Sequence, residues 1–172
     1  MHLKNLSETA KQNTTFRTVV ANAKHTQVVI MSVNPGEDIG LEVHPNEDQV
    51  LYLVSGKGEV LLDGQKSEFN AGDCVLVPAG AEHNFTTIGD EPMKIITTYS
   101  PPHHPKGTVH NTKADAEAAE AADWFADSWA DVWGRGGAAS RAHLDAGEQH
   151  HGSEKDSGRN GARDPGFVGW RG

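Results

Sequence analysis

A single cysteine, Cys74, in 172 residues rules out an intramolecular disulfide framework and fits a reducing compartment. Positive charge is also scarce. With 15 Lys and Arg against 24 Asp and Glu, the formal net charge of -9 argues against a chain built to grip phosphate backbones. No run of roughly 18 apolar residues occurs, and the opening stretch MHLKNLSETAKQNTTFRTVV holds no apolar segment of signal-peptide length. These absences predict a soluble cytoplasmic protein with neither nucleic acid nor membrane as a partner. Hydrophobic residues make up only 36% of the chain, too few for one core over the whole length, so the core is expected in part of it.

What is present starts at Phe16. The runs FRTVVA, TQVVIMSV, LEVH, QVLYLV, GEVLLD, DCVLVP, HNFTTI and MKIITTY are short, β-branched or apolar, and separated by turn residues. They predict an all-β antiparallel sandwich or barrel over residues 16–100, preceded by an N-terminal segment, 1–15. Asp63-Gly64 is a two-residue hairpin signal, because both central positions of the favoured turn need positive φ.

After Tyr99, a connector over 101–113 is stiffened by Pro101, Pro102 and Pro105, and Thr112 with Asp115 forms a capping signal for a helix over 114–133. Phe125, Trp129 and Val132 recur there at helical spacing beside Trp124 and Trp133. Such a stripe needs cover from its own domain or a partner subunit, and a homodimer is the expectation. Residues 134–172 hold ten of the nineteen glycines and few apolar side chains, so they are expected as a disordered tail.

The chemistry concentrates in LEVHPNEDQ, Leu41 to Gln49. On a strand, residues two apart share a face, so Glu42 and His44 project into one volume. His83, just after the Pro78-Ala79-Gly80 turn, ends a second strand. A carboxylate and two imidazoles buried together are costly to desolvate, and a divalent metal resolves that cost. Glu42, His44 and His83 would supply one oxygen and two nitrogens, with positions left open for water or substrate. Gln49 either adds an amide oxygen as a fourth ligand or hydrogen-bonds a ligand or water.

Spacing carries a family resemblance. Gly36, five residues, Glu42-x-His44, four residues, Gln49, six residues and Gly56 resemble the first motif of a small single-domain cupin of the RmlC-like jelly-roll superfamily. Gly72, Pro78, Gly80, His83 and Thr87 match the second motif, fifteen residues further on, with Thr87 where the family has Asn. The resemblance implies a jelly-roll β-sandwich with a metal in its mouth. Two departures matter: Glu42 stands where the family usually has its first His, and Gln49 where it usually has Glu. The carboxylate has moved, an imidazole has become an amide, and preference tilts from copper toward manganese, iron, nickel or zinc.

Tyr52, Phe85 and Tyr99 are candidates to line the cavity, with plain core the alternative for each, and Asp48 and Glu82 are adjacent candidates for a general base. His103, His104 and His110 are read as surface or packing residues in a connector able to fold over the mouth, and Cys74 as a small buried hydrophobe. Small cupins of this pattern resemble the sugar-phosphate isomerase branch, yet no Lys or Arg cluster near the site is evident to hold a phosphate. Three readings stand: a metal-dependent enzyme on a small sugar-like or oxygenated molecule, with Lewis-acid isomerase or epimerase chemistry; a ferrous-iron dioxygenase; and a non-catalytic metal-dependent binding or sensing module.

Overall fold

The computed structural model of the chain describes residues 1–122. A short helix, α1 (Leu6–Gln12), precedes ten strands: β1 (Arg17–Asn22), β2 (Gln27–Val33), β3 (Glu42–Val43), β4 (Asp48–Ser55), β5 (Lys57–Leu62), β6 (Gln65–Asn70), β7 (Cys74–Val77), β8 (Glu82–Thr87), β9 (Met93–Ser100) and β10 (Val109–His110). A second helix, α2, begins at 113 and is described to 122.

Alternation decides which side each strand buries. In β9 the odd positions Met93, Ile95, Thr97 and Tyr99 are fully buried while the residues between them are half-buried. A six-stranded antiparallel sheet, in the order β10-β1-β2-β9-β4-β7, faces a four-stranded one, β3-β8-β5-β6. Between them lies one core that includes Val29, Met31, Leu51, Leu53, Phe69, Phe85 and Ile95. Each such side chain contributes about 1.5–3 kcal/mol by leaving water. This is the antiparallel sandwich expected from the strand pattern, and the jelly roll that the family resemblance implied.

Every strand anticipated from the sequence forms, within a residue or two. Asp63 and Gly64 take φ of 48° and 77°, as a two-residue hairpin between β5 and β6 requires. Three elements were not anticipated: α1, β6 and β10. β6, QKSEFN, buries only Phe69, because it is a solvated edge strand and shows no apolar alternation.

The Thr112 cap is present, with Asp115 N–H donating to Thr112 Oγ1 (3.2 Å) and Thr112 N–H donating to Asp115 Oδ2 (3.0 Å). Phe125, Trp129, Val132, Trp124 and Trp133, which carried the homodimer expectation, and the tail 134–172 lie outside the described residues. No helix among the described residues is long and apolar enough to cross a membrane.

Cys74 departs from expectation. It is exposed, because it lies on the edge strand β7 opposite Tyr52, on the face turned away from the core.

Candidate metal centre

Strand pairing assembles the site. Glu42 of β3 is the direct cross-strand partner of His83 of β8, so the two side chains leave the same face as directly opposed neighbours. His44 follows two residues on. The ligating atoms of Glu42, His44 and His83 all lie within 4.8 Å of one another, with Glu42 Oε2 and His44 Nε2 3.2 Å apart. Two ligands each about 2.1 Å from a shared ion, set near a right angle, would be about 3 Å apart.

The six-stranded sheet faces this group with one register row: Gln27, Tyr99, Gln49 and Val77 are successive cross-strand partners. Gln49 is buried, its Nε2 donating to Thr97 Oγ1 (3.2 Å).

The residues fit an ion. Glu42 Oε2, His44 Nε2, Gln49 Oε1 and His83 Nε2 are buried without a hydrogen-bond partner among the described residues; the 3.2 Å Glu42–His44 approach lacks hydrogen-bond alignment. Buried polar atoms are nearly always satisfied, so the three that converge, on Glu42, His44 and His83, mark a place for a ligand, and Gln49 is the cross-strand neighbour of Tyr99, whose ring touches His44. His83 Nδ1 lies 3.0 Å from the Ala81 carbonyl oxygen, which only accepts; Nδ1 therefore carries the proton and Nε2 presents its lone pair. Burial opposes the charge on Glu42, but the His44 imidazole and Arg17 outweigh it, and the carboxyl titrates below its ordinary value. Glu42 is thus ionised at neutral pH, as a ligand must be.

A second group, His44, Glu47 and His103, also brings its donor atoms within 4.8 Å and shares His44. There Glu47 Oε1 already lies 3.5 Å from His103 Nδ1, so that carboxylate has a partner within the chain.

The structure corrects several expectations. Tyr52 is not cavity-lining: Gln49, Leu51 and Leu53 fix the inward phase of β4, and Tyr52 falls on the outer face, 39% exposed. Phe85 is core, packed edge-on against Phe69 at 5.3 Å between centroids, with its ring 6.3 Å from His83. Tyr99 does sit in the site, edge-on to His44 at 5.7 Å. Asp48 and Glu82 are exposed, and Asp48 accepts from Ala79 N–H (2.9 Å), which makes it a turn residue rather than a base.

His103 and His104 are packing residues, one of the two roles anticipated for them, with His103 still exposed. The connector folds over the mouth, so that His103 stacks on Tyr99 (5.3 Å) and meets His44 (4.5 Å), while His104 packs edge-on to Tyr99 (5.0 Å). The reason is Gln27, whose amide grips the His104 backbone from both sides, Nε2 donating to its carbonyl (2.7 Å) and Oε1 accepting from its N–H (3.0 Å). The run TQVVIMSV shows Gln27 in phase with Val29, Met31 and Val33, and that phase is the signal that reveals it. Burial, followed by the Arg17 charge, pushes the His104 imidazole down to about 2, so it stays neutral.

One cation was missed altogether. Arg17 of β1 is buried at 1% exposure, its Nη2 3.9 Å from Glu42 Oε1 and its Nη1 2.7 Å from Glu120 Oε1 of α2. Its inward phase follows from pairing opposite Met31, which local sequence does not reveal.

A family model described as the cupin domain matches residues 29–99. The uncharacterized protein YrkC of Bacillus subtilis is 48% identical over 122 residues, 67% of this chain and 66% of that one. The crystal structure of BH2720 from Bacillus halodurans superposes with a TM-score of 0.67 at 40% identity, covering 68% of this chain and 93% of that one. The chain belongs to the cupin family. Over a shorter stretch this cupin is also 32% identical to quercetin 2,3-dioxygenase of Bacillus subtilis, across 72 residues that are 40% of this chain and 21% of that enzyme. The chain spans about two thirds of the length of YrkC. Within the cupin, the segment matched by the family holds Glu42, His44, Gln49, His83 and Tyr99. Arg17, His103, His104, His110 and Glu120 lie outside it.

Proposed function

We propose that this cupin is a metal-dependent enzyme that acts on a small oxygenated molecule in the barrel mouth, by Lewis-acid chemistry of the isomerase or epimerase type. Glu42, His44 and His83 would hold a divalent ion, manganese, iron, nickel or zinc, with Gln49 Oε1 as a fourth, neutral ligand. The observation that carries the reading is the set of three buried, unpartnered ligand atoms, on Glu42, His44 and His83, that converge within 4.8 Å of one another. A bound ion supplies Lewis acidity, drawing electron density from a carbonyl or hydroxyl oxygen.

The chain's own residues suit a ligand that gains negative charge on oxygen. Burial pushes the Tyr99 phenol up against the opposing pull of Arg17, so it stays protonated and able to donate from inside the mouth. Arg17 brings a fixed positive charge to within 3.9 Å of Glu42. The connector packs His103 and His104 against Tyr99 at the mouth.

Two His and one carboxylate are also the ligands of ferrous oxygenases, and the likeness to quercetin 2,3-dioxygenase supports an oxygen-using second reading.

Elemental analysis of the full chain purified without oxygen tests the proposal. One equivalent of metal is expected in the wild type and in His103→Ala and His104→Ala, and none in His44→Ala or His83→Ala. Full metal content in His83→Ala would sink the site. Turnover of α-hydroxycarbonyl substrates without oxygen uptake supports the Lewis-acid reading, whereas oxygen consumption tied to an iron content supports the second.

A further inference from the structure

Four more orphaned atoms lie beside the metal group. Arg17 Nε, Tyr99 Oη, His104 Nε2 and His110 Nδ1 are buried and lack a hydrogen-bond partner among the described residues. They are neighbours: Arg17 pairs with His110 across β1 and β10, and the Tyr99 and His104 rings stand 5.0 Å apart. A guanidinium offers a planar fork that a carboxylate fills with two parallel hydrogen bonds. Among the described residues one carboxylate oxygen hydrogen-bonds it, Glu120 Oε1 at 2.7 Å on Nη1, while Glu42 Oε1 stands off at 3.9 Å from Nη2; Glu120 comes from α2 with a half-exposed side chain. A buried guanidinium is thus held on one tooth by a carboxylate that has water to return to.

We propose that Arg17 is the seat of a substrate carboxylate, and that Glu120 is its stand-in, displaced when an acid bearing a second oxygen next to its carboxylate enters the mouth. The inference rests on the metal reading above. Arg17 Nη2 lies 3.9 Å from Glu42, so a compact 2-hydroxy or 2-oxo acid reaches both the guanidinium and the Glu42-His44-His83 group. A divalent ion and Arg17 against Glu42 leave the mouth positive once Glu120 withdraws, which favours an anion. Phosphate is the poorer fit: among the described residues Arg17 is the one arginine or lysine in this group.

Calorimetric titration of the full chain with glycolate, ethylene glycol and inorganic phosphate tests this, with metal content measured in the same samples, both metal-loaded and chelator-stripped. Glycolate is expected to bind at least fivefold more tightly to Glu120→Gln than to wild type, and at least tenfold more weakly to Arg17→Gln. Ethylene glycol should respond to neither change. An unchanged glycolate affinity in Glu120→Gln, or an equal gain for phosphate, overturns the proposal. Glu120→Gln alters a half-exposed side chain and decides the question even if Arg17→Gln does not fold. Glycolate binding that responds to Glu120→Gln in protein that takes up no metal keeps the carboxylate seat and ends the metal reading. Metal uptake with a glycolate affinity indifferent to Glu120 does the reverse.

Discussion

Gly56 closes the first cupin motif and turns the chain from β4 into β5 at a φ of +92°. A Cβ at this position would stand 2.6 Å from the Pro92 carbonyl oxygen and 2.9 Å from Met93 Cα. Both atoms are backbone. Neither retreats easily, because Met93 is paired with Val33 at the start of β9, beneath the core. Gly64, at φ +77° in the β5–β6 hairpin, has nothing within 4 Å of the same added atom.

The pair therefore separates conformational strain from collision. Gly64→Ala should cost only the left-handed conformation, about 1 kcal/mol. Gly56→Ala adds a backbone displacement of the overpacking kind, for a total of about 3 kcal/mol. At about 4 °C per kcal/mol for a domain of this size, Gly56→Ala should melt roughly 12 °C below wild type and Gly64→Ala roughly 4 °C below. Urea denaturation with unchanged slopes provides the free energies. Equal losses for the two variants, within about 0.5 kcal/mol, would refute the claim that the motif glycine is required by close backbone approach.

Phe69→Ala should lose about 3–5 kcal/mol, since the ring is fully buried against Phe85 on an otherwise polar strand; a loss under about 1 kcal/mol in urea would show that the site collapses instead. Lys113, followed by Asn84, holds the Asp38 carboxyl below its ordinary value. A depressed folded value stabilises above the unfolded one and is lost as pH falls through it. Asp38→Asn should thus lower the unfolding free energy at pH 6 by up to about 1 kcal/mol for a partly exposed pair, with the gap closing below about pH 3.8; a gap constant down to pH 3 contradicts this. Cys74 should react with a thiol reagent in the native protein as fast as in urea, and Cys74→Ser should leave stability within about 0.5 kcal/mol; a protected thiol would contradict its exposure.

The sandwich was legible because alternation and turn chemistry are local. Asp63-Gly64 and the strand runs announce themselves within a few residues. Glu42, His44 and His83 were legible for a different reason, the fixed spacing of two motifs around a strand pair. The rest of the mouth depends on long-range register. Arg17 faces inward because it pairs with Met31 and His110, and Glu120 reaches it from a helix more than a hundred residues later. Tyr52 went astray for want of a phase: an aromatic in an apolar strand reads as core until Gln49 and Leu51 fix which parity is inward. β6 was silent because an edge strand has no need of apolar alternation.

The pairing of β1 with β10 has a consequence in time. A chain leaves the ribosome N-terminus first, and domains fold as they emerge. Glu42, His44, His83 and the central strand β9 that joins β2 to β4 all emerge before His110 and Glu120, so for a time β1 shows a bare edge and Arg17 has neither beside it. The stretch from 103 to 120, arriving after them, both seals that edge and brings His103, His104 and Glu120 to the mouth. The nascent protein is thus expected to pass through a stage in which the metal group is assembled beneath an open mouth, wider to an incoming ion than the finished molecule is.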